Sequence, residues 1–369
     1  MTTDTDTVTV IGAGSGGCAG AADLARAGYQ VTLYNRSFRR LEPIELLGGI
    51  RLVAEGQDHG IQRLAAVTDS IEDAARAATT ILVMAPTSAL GYYAEQLSEH
   101  LTDDHRILLA PGHTAGALYF SKIIADRRPD ISPLIGETHT LPFICRMNGP
   151  AEVTVWSRAK RLLAASLPGD RIDELMEVFG PLLPSLHPVR SVLETSLSNH
   201  NAVMHPAGMI LNAGWIERTG GDFRYYTDGH TAAVSAVIEA VDRERREIGA
   251  RLGVELESFL DAFYAAGATS QEAWQSGSIE RAITESAPNR EIKAPSSLDD
   301  RYVHEDFGYG LVPFLAFAAV AGVSAPVTDA LVTLAETATG FTLRKDGLNA
   351  DKLGLSGMQR DELVSLVGA

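Results

Sequence analysis

Val8-Thr9-Val10-Ile11-Gly12-Ala13-Gly14-Ser15-Gly16-Gly17 decides how the first half of this chain is read. A short β-branched run ends in glycines spaced G-x-G-x-x-G, and a helix-type run follows from about Gly16 to Ala27. Gly12 permits the tight turn, Gly14 lets the backbone approach a pyrophosphate, and Gly17 lets helix and strand pack closely. The amides of Ser15, Gly16 and Gly17 would then lie at a helix N-terminus, where free donors and the helix dipole favour phosphate. In this strand–turn–helix context the motif points to a dinucleotide rather than to an ordinary flexible turn. Cys18, just inside the helix, reads as a small residue packed on the sheet rather than as a reactive thiol.

Working outward, Gln30–Tyr34 forms the next strand and ends in Tyr34-Asn35-Arg36-Ser37, with Arg39 and Arg40 behind it. An NAD site places an Asp or Glu here for the ribose hydroxyls. The arginines and the missing carboxylate suit the 2′-phosphate of NADP, so Asn35, Arg36, Ser37 and Arg40 join Gly12, Gly14, Ser15, Gly16 and Gly17 as cofactor-binding candidates. Gly49–Ala54 and Ile61–Val67 read as a hairpin around Gly56 to Gly60. Ile81–Met84 and Arg106–Leu109 follow helical segments, and Pro86 and Pro111 end them; Pro86 joins the cofactor set. This alternation means a parallel sheet covered on both faces. β-rich pieces such as Glu152–Val155 close that domain.

From about Leu186 the alternation stops. Leu193–Arg218, Thr231–Leu252 and Val327–Thr339 show apolar spacings of three and four, the period of helices. Pro181, Pro184 and Pro188 mark the change. The expected architecture is an α/β Rossmann-type parallel-sheet domain over residues 1–185 followed by an all-α helical domain over 186–369, with the cleft between them as the default site. A length of 369 residues fits two such domains.

Composition narrows the function classes. The formal net charge is −16, which opposes binding to phosphate backbones and anionic lipid, so neither nucleic acid nor membrane is an expected partner. An anionic substrate then needs a local basic pocket. Two cysteines, Cys18 and Cys145, supply neither a disulfide framework nor a Cys-based zinc site, and no metal is expected. The polar, acidic Met1–Asp6 is unlike a signal peptide, and Gly310–Val327, interrupted by prolines, reads as buried helix; a cytoplasmic location is expected.

Two segments of the second half carry chemistry-bearing residues. In Ser198-Asn199-His200-Asn201-Ala202-Val203-Met204-His205-Pro206, the proline is expected to kink a helix beside His205, with Asn201 one turn earlier on the same face. His205 suits acid/base work near neutrality, although a lone helical His is commonly a satisfied core residue. In Arg301-Tyr302-Val303-His304-Glu305-Asp306, before a Gly-rich turn, Arg301 and Asp306 could offer a guanidinium fork and a carboxylate to one cleft, or form a surface pair. Spacing alone leaves both readings open. Trp215, Tyr225, Tyr226 and Trp274 read as core aromatics rather than as an amine pocket.

Further segments decide between them: Gly136-Glu137-Thr138, Phe143-Ile144-Cys145-Arg146, Thr195-Ser196-Leu197-Ser198-Asn199, Val241-Asp242-Arg243-Glu244-Arg245, Gly310-Leu311-Val312-Pro313 and Lys352-Leu353-Gly354-Leu355-Ser356-Gly357. With the His205 and Arg301–Asp306 segments, they make the chain resemble the octopine/nopaline (opine) dehydrogenase family, and most nearly its bacterial N-(1-D-carboxyethyl)-L-norvaline dehydrogenase branch. The resemblance implies NAD(P)H-dependent reductive condensation of a 2-oxo acid with an amino acid or amine, the imine being reduced to a secondary amine. It places the family's catalytic His, Arg and Asp on His205, Arg301 and Asp306, and implies a homodimer. Arg301, Asn201 and Glu137 are the expected substrate-binding residues. Asn35-Arg36 departs from NADH-using members, so NADP is preferred and NAD kept possible.

The rival reading is an NADPH-dependent imine or 2-oxo-acid (ketopantoate-type) reductase working without amine condensation. Ketopantoate-type enzymes place a Lys on the first long helix of the second domain, and none of the five lysines here falls between Leu193 and Arg218.

Overall fold

The β-branched run Thr7–Ile11 (β1) is a buried strand, as its composition demands when helices cover both faces. The computed structural model describes residues 6–368, so Met1–Thr5 of the acidic leader and Ala369 lie outside the described residues. An eight-stranded sheet runs β12-β11-β8-β7-β6-β1-β2-β5. Its members are β1, β2 (Gln30–Tyr34), β5 (Ala66–Thr68), β6 (Thr80–Val83), β7 (Arg106–Leu109), β8 (Leu134–Thr138), β11 (Leu162–Leu167) and β12 (Leu186–Pro188). Pairing is parallel except where β11 runs antiparallel to β8. Helices α1 (Ser15–Arg26), α2 (Phe38–Leu47), α3 (Ile71–Ala77), α4 (Leu90–Ser98), α5 (Gly116–Arg127) and α6 (Ile172–Phe179) alternate with the strands. Val10, Leu33, Leu82, Leu108 and Cys18 meet in the core. Burial pushes the Cys18 thiol up to about 12, with Cys145 adding to the shift, so Cys18 packs as the sequence suggested.

The expected hairpin is present but displaced. β3 (Gly49–Ala54) pairs with β4 (Gln57–Arg63), so the turn is Glu55-Gly56, whose φ values of 53° and 79° match a two-residue type I′ turn. Asp58, His59 and Gly60, expected in the loop, are instead strand residues, and Ala66–Thr68 joins the large sheet beside β2. The hairpin continues into a second sheet, β4-β3-β10-β9, with β9 (Phe143–Gly149) and β10 (Glu152–Arg158).

The first compact unit ends at Thr195 and the second begins at Ser196, ten residues beyond the boundary expected after residue 185. Leu186–Pro188 still pairs with β11, and α7 (Val192–Leu197) straddles the division. The second unit is helical: α8 (His200–Leu211), α9 (Ala213–Thr219), α10 (Tyr225–Gly229), α11 (Ala232–Leu252), α12 (Phe259–Ala265), α13 (Gln271–Gln275), α14 (Ile279–Thr284), α15 (Arg301–Asp306), α16 (Val312–Ala321) and α17 (Pro326–Thr339), then three short helices. No helix among the described residues is long and apolar enough to cross a membrane.

Part of the Val241–Arg245 segment braces this unit. Arg245, 1% exposed, donates to Asp242 and to the carbonyls of Leu197 and Glu257. Its hydrogen bonds offset the cost of burying the charge. Glu244 accepts from Val327 N, Thr328 N and Thr328 Oγ1, capping the start of α17.

Candidate active site

In the first unit, Gly12 has φ +107°, and a Cβ there would lie 2.5 Å from the Met84 carbonyl oxygen. A Cβ on Gly17 would run into the Gly12 carbonyl oxygen, whereas one on Gly14 would meet nothing within 4 Å. Gly12 and Gly17 therefore pack the turn, and Gly14 leaves an open face. No side chain caps α1 and no acid lies in its first turn, so its leading amides remain available to phosphate. The Ser15 hydroxyl instead accepts from Met147 N, 3.2 Å away. These features fit a dinucleotide.

Asn35 is spoken for: its Oδ1 accepts from Ala13 N at 3.1 Å, and its Nδ2 donates to Ser37 O at 3.0 Å. Asn35, an expected cofactor residue, thus holds Ala13 of the glycine turn to the end of β2. Arg36, Arg39 and Arg40 are exposed, and none has an ion-pair partner among the described residues. Arg36 lies over the Tyr92 ring, 5.1 Å from its centroid. Pro86 is exposed just after β6.

Glu137 is fully enclosed. It accepts from Ala117 N at 2.7 Å, in the first turn of α5, and from the Thr195 hydroxyl at 2.6 Å. These bonds tie β8, α5 and α7 together around the residue expected to bind substrate.

The second unit assembles the acid/base group. Asp300 Oδ1 accepts from Tyr302 N and starts α15. Tyr302 and Asp306, four apart, therefore share one helix face. Both address His205 from α8: Asp306 Oδ2 lies 2.7 Å from Nδ1, and the Tyr302 ring stacks on the imidazole with centroids 4.0 Å apart at 17°. His205 Nε2 lies 2.9 Å from the Tyr226 hydroxyl. The Tyr225 hydroxyl donates to the His205 carbonyl. His205 and Asp306 are 4% and 5% exposed, so their bond is screened little by water. Pro206 lies inside α8 and removes the donor for the Ala202 carbonyl.

Glycine permits the close approach. The expected Gly-rich turn is a π-helical segment, Phe307–Leu311, continuous with α15 and α16; such bulges recur at functional sites. A Cβ on Gly310 would lie 2.7 Å from the Ala202 Cβ, one turn before His205. Gly310 thus lets the segment after Asp306 settle on α8.

The Arg301 side chain is 72% exposed, lies 3.7 Å from Glu305 and is within electrostatic reach of Asp306. Asn201 is half-buried on α8. The four aromatics read as core divide: Tyr225 and Tyr226 are buried around His205, whereas Trp215 is 41% exposed and stacks on Phe223, and Trp274 stacks on Tyr264. Sequence reasoning missed the link from Tyr226 and Tyr302 to His205; four-residue spacing to Asp306 was the available signal for Tyr302, and none existed for Tyr226.

A family model described as NAD/NADP octopine/nopaline dehydrogenase, alpha-helical domain, matches residues 188–339, and one for ketopantoate reductase matches residues 8–110. An opine dehydrogenase of Arthrobacter sp. (strain 1C) is 33% identical over 366 residues, covering 99% of both chains. A structure of octopine dehydrogenase in complex with NADH and agmatine superposes with a TM-score of 0.79 at 19% identity, covering 98% of both chains. Yersinopine dehydrogenase bound to NADP+ gives a TM-score of 0.77 at 14% identity, over 99% of this chain and 98% of that one. On the full-length identity and the match across its helical half, the chain belongs to the octopine/nopaline dehydrogenase family.

Proposed function

We propose that this protein is an NADPH-preferring opine dehydrogenase that condenses a 2-oxo acid with an amino acid or amine and reduces the resulting imine. The buried His205–Asp306 pair carries the reading, because imine formation and reduction both need a proton moved at the reacting centre. Asp306 holds the Nδ1–H tautomer and stabilises the imidazolium, leaving Nε2 for proton transfer. Arg301, exposed beside Tyr302, binds the substrate carboxylate; a guanidinium supplies the basic contact that a protein of net charge −16 otherwise withholds from an anion. Asn201, one turn from His205, is the second polar candidate on that helix. The Gly12–Gly17 turn would hold the pyrophosphate of a reduced nicotinamide dinucleotide, which would supply the hydride for the imine carbon.

The NADPH preference rests on Arg36, Arg39 and Arg40, which have no carboxylate partner among the described residues, where an NAD site places an acid. A homodimer is part of the same reading, testable by mass in solution.

The deciding experiment follows NADPH oxidation with pyruvate, 2-oxoglutarate or glyoxylate, each with and without a panel of amino acids and amines. Turnover that requires both partners supports the proposal. Turnover with the 2-oxo acid alone identifies a keto-acid reductase instead. An equal kcat/KM with NADH would remove the cofactor preference while leaving the chemistry.

A further inference from the structure

In this structure the nitrogen that must exchange protons is covered. Nδ1 of His205 is held by Asp306, and Nε2 is held by Tyr226, 2.9 Å away. The Tyr226 hydroxyl lies 3.3 Å from that of Tyr302. His205, Tyr226 and Asp306 are each 5% exposed or less, whereas Tyr302 is half-buried. Tyr302 is thus the first member of the chain with an open side, and its neighbour Arg301 has its guanidinium carbon 6.0 Å from the Tyr302 ring centroid.

Tyr226 is flanked by two further aromatic rings. Tyr225 meets it edge-on at 5.1 Å, and the His230 ring lies parallel to it at 5.6 Å. His230 is itself anchored through Nδ1 to the Tyr225 carbonyl, 3.0 Å away.

Resting on the proposed condensation chemistry, we propose that Tyr226 and Tyr302 form a proton relay joining His205 Nε2 to the reacting substrate. Before addition the substrate ammonium gives one proton to the Tyr302 oxygen; its second departing proton later moves within the adduct to the carbonyl-derived oxygen. Tyr302 passes its own proton to Tyr226, and Tyr226 passes its proton to Nε2, leaving an imidazolium. On loss of water the hops reverse: Nε2 returns the proton through Tyr226, and Tyr302 delivers one to the departing hydroxyl. The net result is two protons moved from nitrogen to the leaving oxygen, one through the relay and one within the adduct, so that water departs and a protonated imine remains, with His205 and both phenols restored. Burial, reinforced by the neighbouring Tyr302, holds the Tyr226 hydroxyl well above its ordinary value, and burial also raises Tyr302. Each phenol therefore stays protonated and transfers by hydroxyl-to-hydroxyl hops. Tyr302 is the group that touches substrate; Tyr226 acts through it and through His205.

The test is Tyr226→Phe and Tyr302→Phe in the full-length enzyme, assayed with the 2-oxo acid and amine pair that gives turnover. Each should lower kcat by about 10²-fold while the Kd for NADPH and the melting midpoint hold. Fluorotyrosines of graded acidity at position 226 should then give kcat values that track the phenol pKa, which a purely packing role would not produce. Wild-type kcat in either Phe variant, or fluorotyrosine rates independent of acidity, would overturn the relay. A second readout needs no turnover: the 15N resonance of His205 Nε2 should move in Tyr226→Phe, and an unmoved resonance overturns the relay. If His205→Ala is inactive while Tyr226→Phe is fully active, only the relay fails. If wild type turns over no pair, the proposed reaction fails and the resonance still judges the hydrogen bond on which the relay depends.

Discussion

Asp306→Asn isolates the charge from the shape of the site. The carboxylate oxygen is 2.7 Å from His205 Nδ1, and both residues are nearly water-free. With charge centres about 4 Å apart and an effective dielectric constant of about 20, the carboxylate stabilises an imidazolium by about 4 kcal/mol. An asparagine oxygen can still accept from Nδ1–H, so part of the orienting role survives. The expected loss in kcat is therefore about 10²- to 10³-fold, at roughly 1.4 kcal/mol per decade. KM for NADPH should hold, and the Asp306→Asn protein should fold, since it buries no new charge. The assay is steady-state NADPH oxidation with both substrates saturating, alongside circular dichroism and melting. A folded Asp306→Asn enzyme with kcat within about 3-fold of wild type would refute the electrostatic argument.

Other consequences follow from the same geometry. Gly310→Ala forces a Cβ to 2.7 Å from that of Ala202, which should cost about 1–3 kcal/mol of stability and lower kcat together. Adding Ala202→Gly should restore both, and a double variant no better than the single would place the strain elsewhere. Arg301→Lys should raise KM for the 2-oxo acid with little change in NADPH binding, because an ammonium cannot reproduce the fork; an unchanged KM removes Arg301 from the substrate site. His230, 1% exposed, is lowered from 6.5 to about 4 by burial. Its unfolded form binds a proton below about pH 6.5 and its folded form does not until about 4, so its contribution to stability is complete above that window and falls by roughly 1.4 kcal/mol per pH unit within it. Melting curves from pH 7 to 5 should show this slope, and His230→Gln should be shallower; identical slopes would exclude His230 as the titrating group.

Much of the first unit was legible because its signals are local. The Val8–Ile11 run, the glycine spacing and the Gln30–Tyr34 strand each depend on residues adjacent in the chain. The hairpin register was misjudged because Glu55 takes a left-handed conformation that residue type does not announce. The strand Leu186–Pro188 beyond residue 185 is not legible from sequence, because so short a strand has no periodicity of its own. The glycines before Pro313 read as a turn, whereas packing against Ala202 retains them in a π-helical segment.

The sequence by itself determined a dinucleotide-type turn, a helical second half, and His205, Arg301 and Asp306 as the residues to watch, because short-range spacing and residue chemistry carry that information. Tertiary structure decided their partnerships. Asp306 joins His205 across 101 residues, Arg301 lies beside Glu305, and Glu137 bonds to the first turn of α5 and to Thr195 of α7. Tyr226 reaches His205 across 21 residues and Tyr302 across nearly a hundred. Such long-range contacts arise from how helices pack rather than from the period of any one helix.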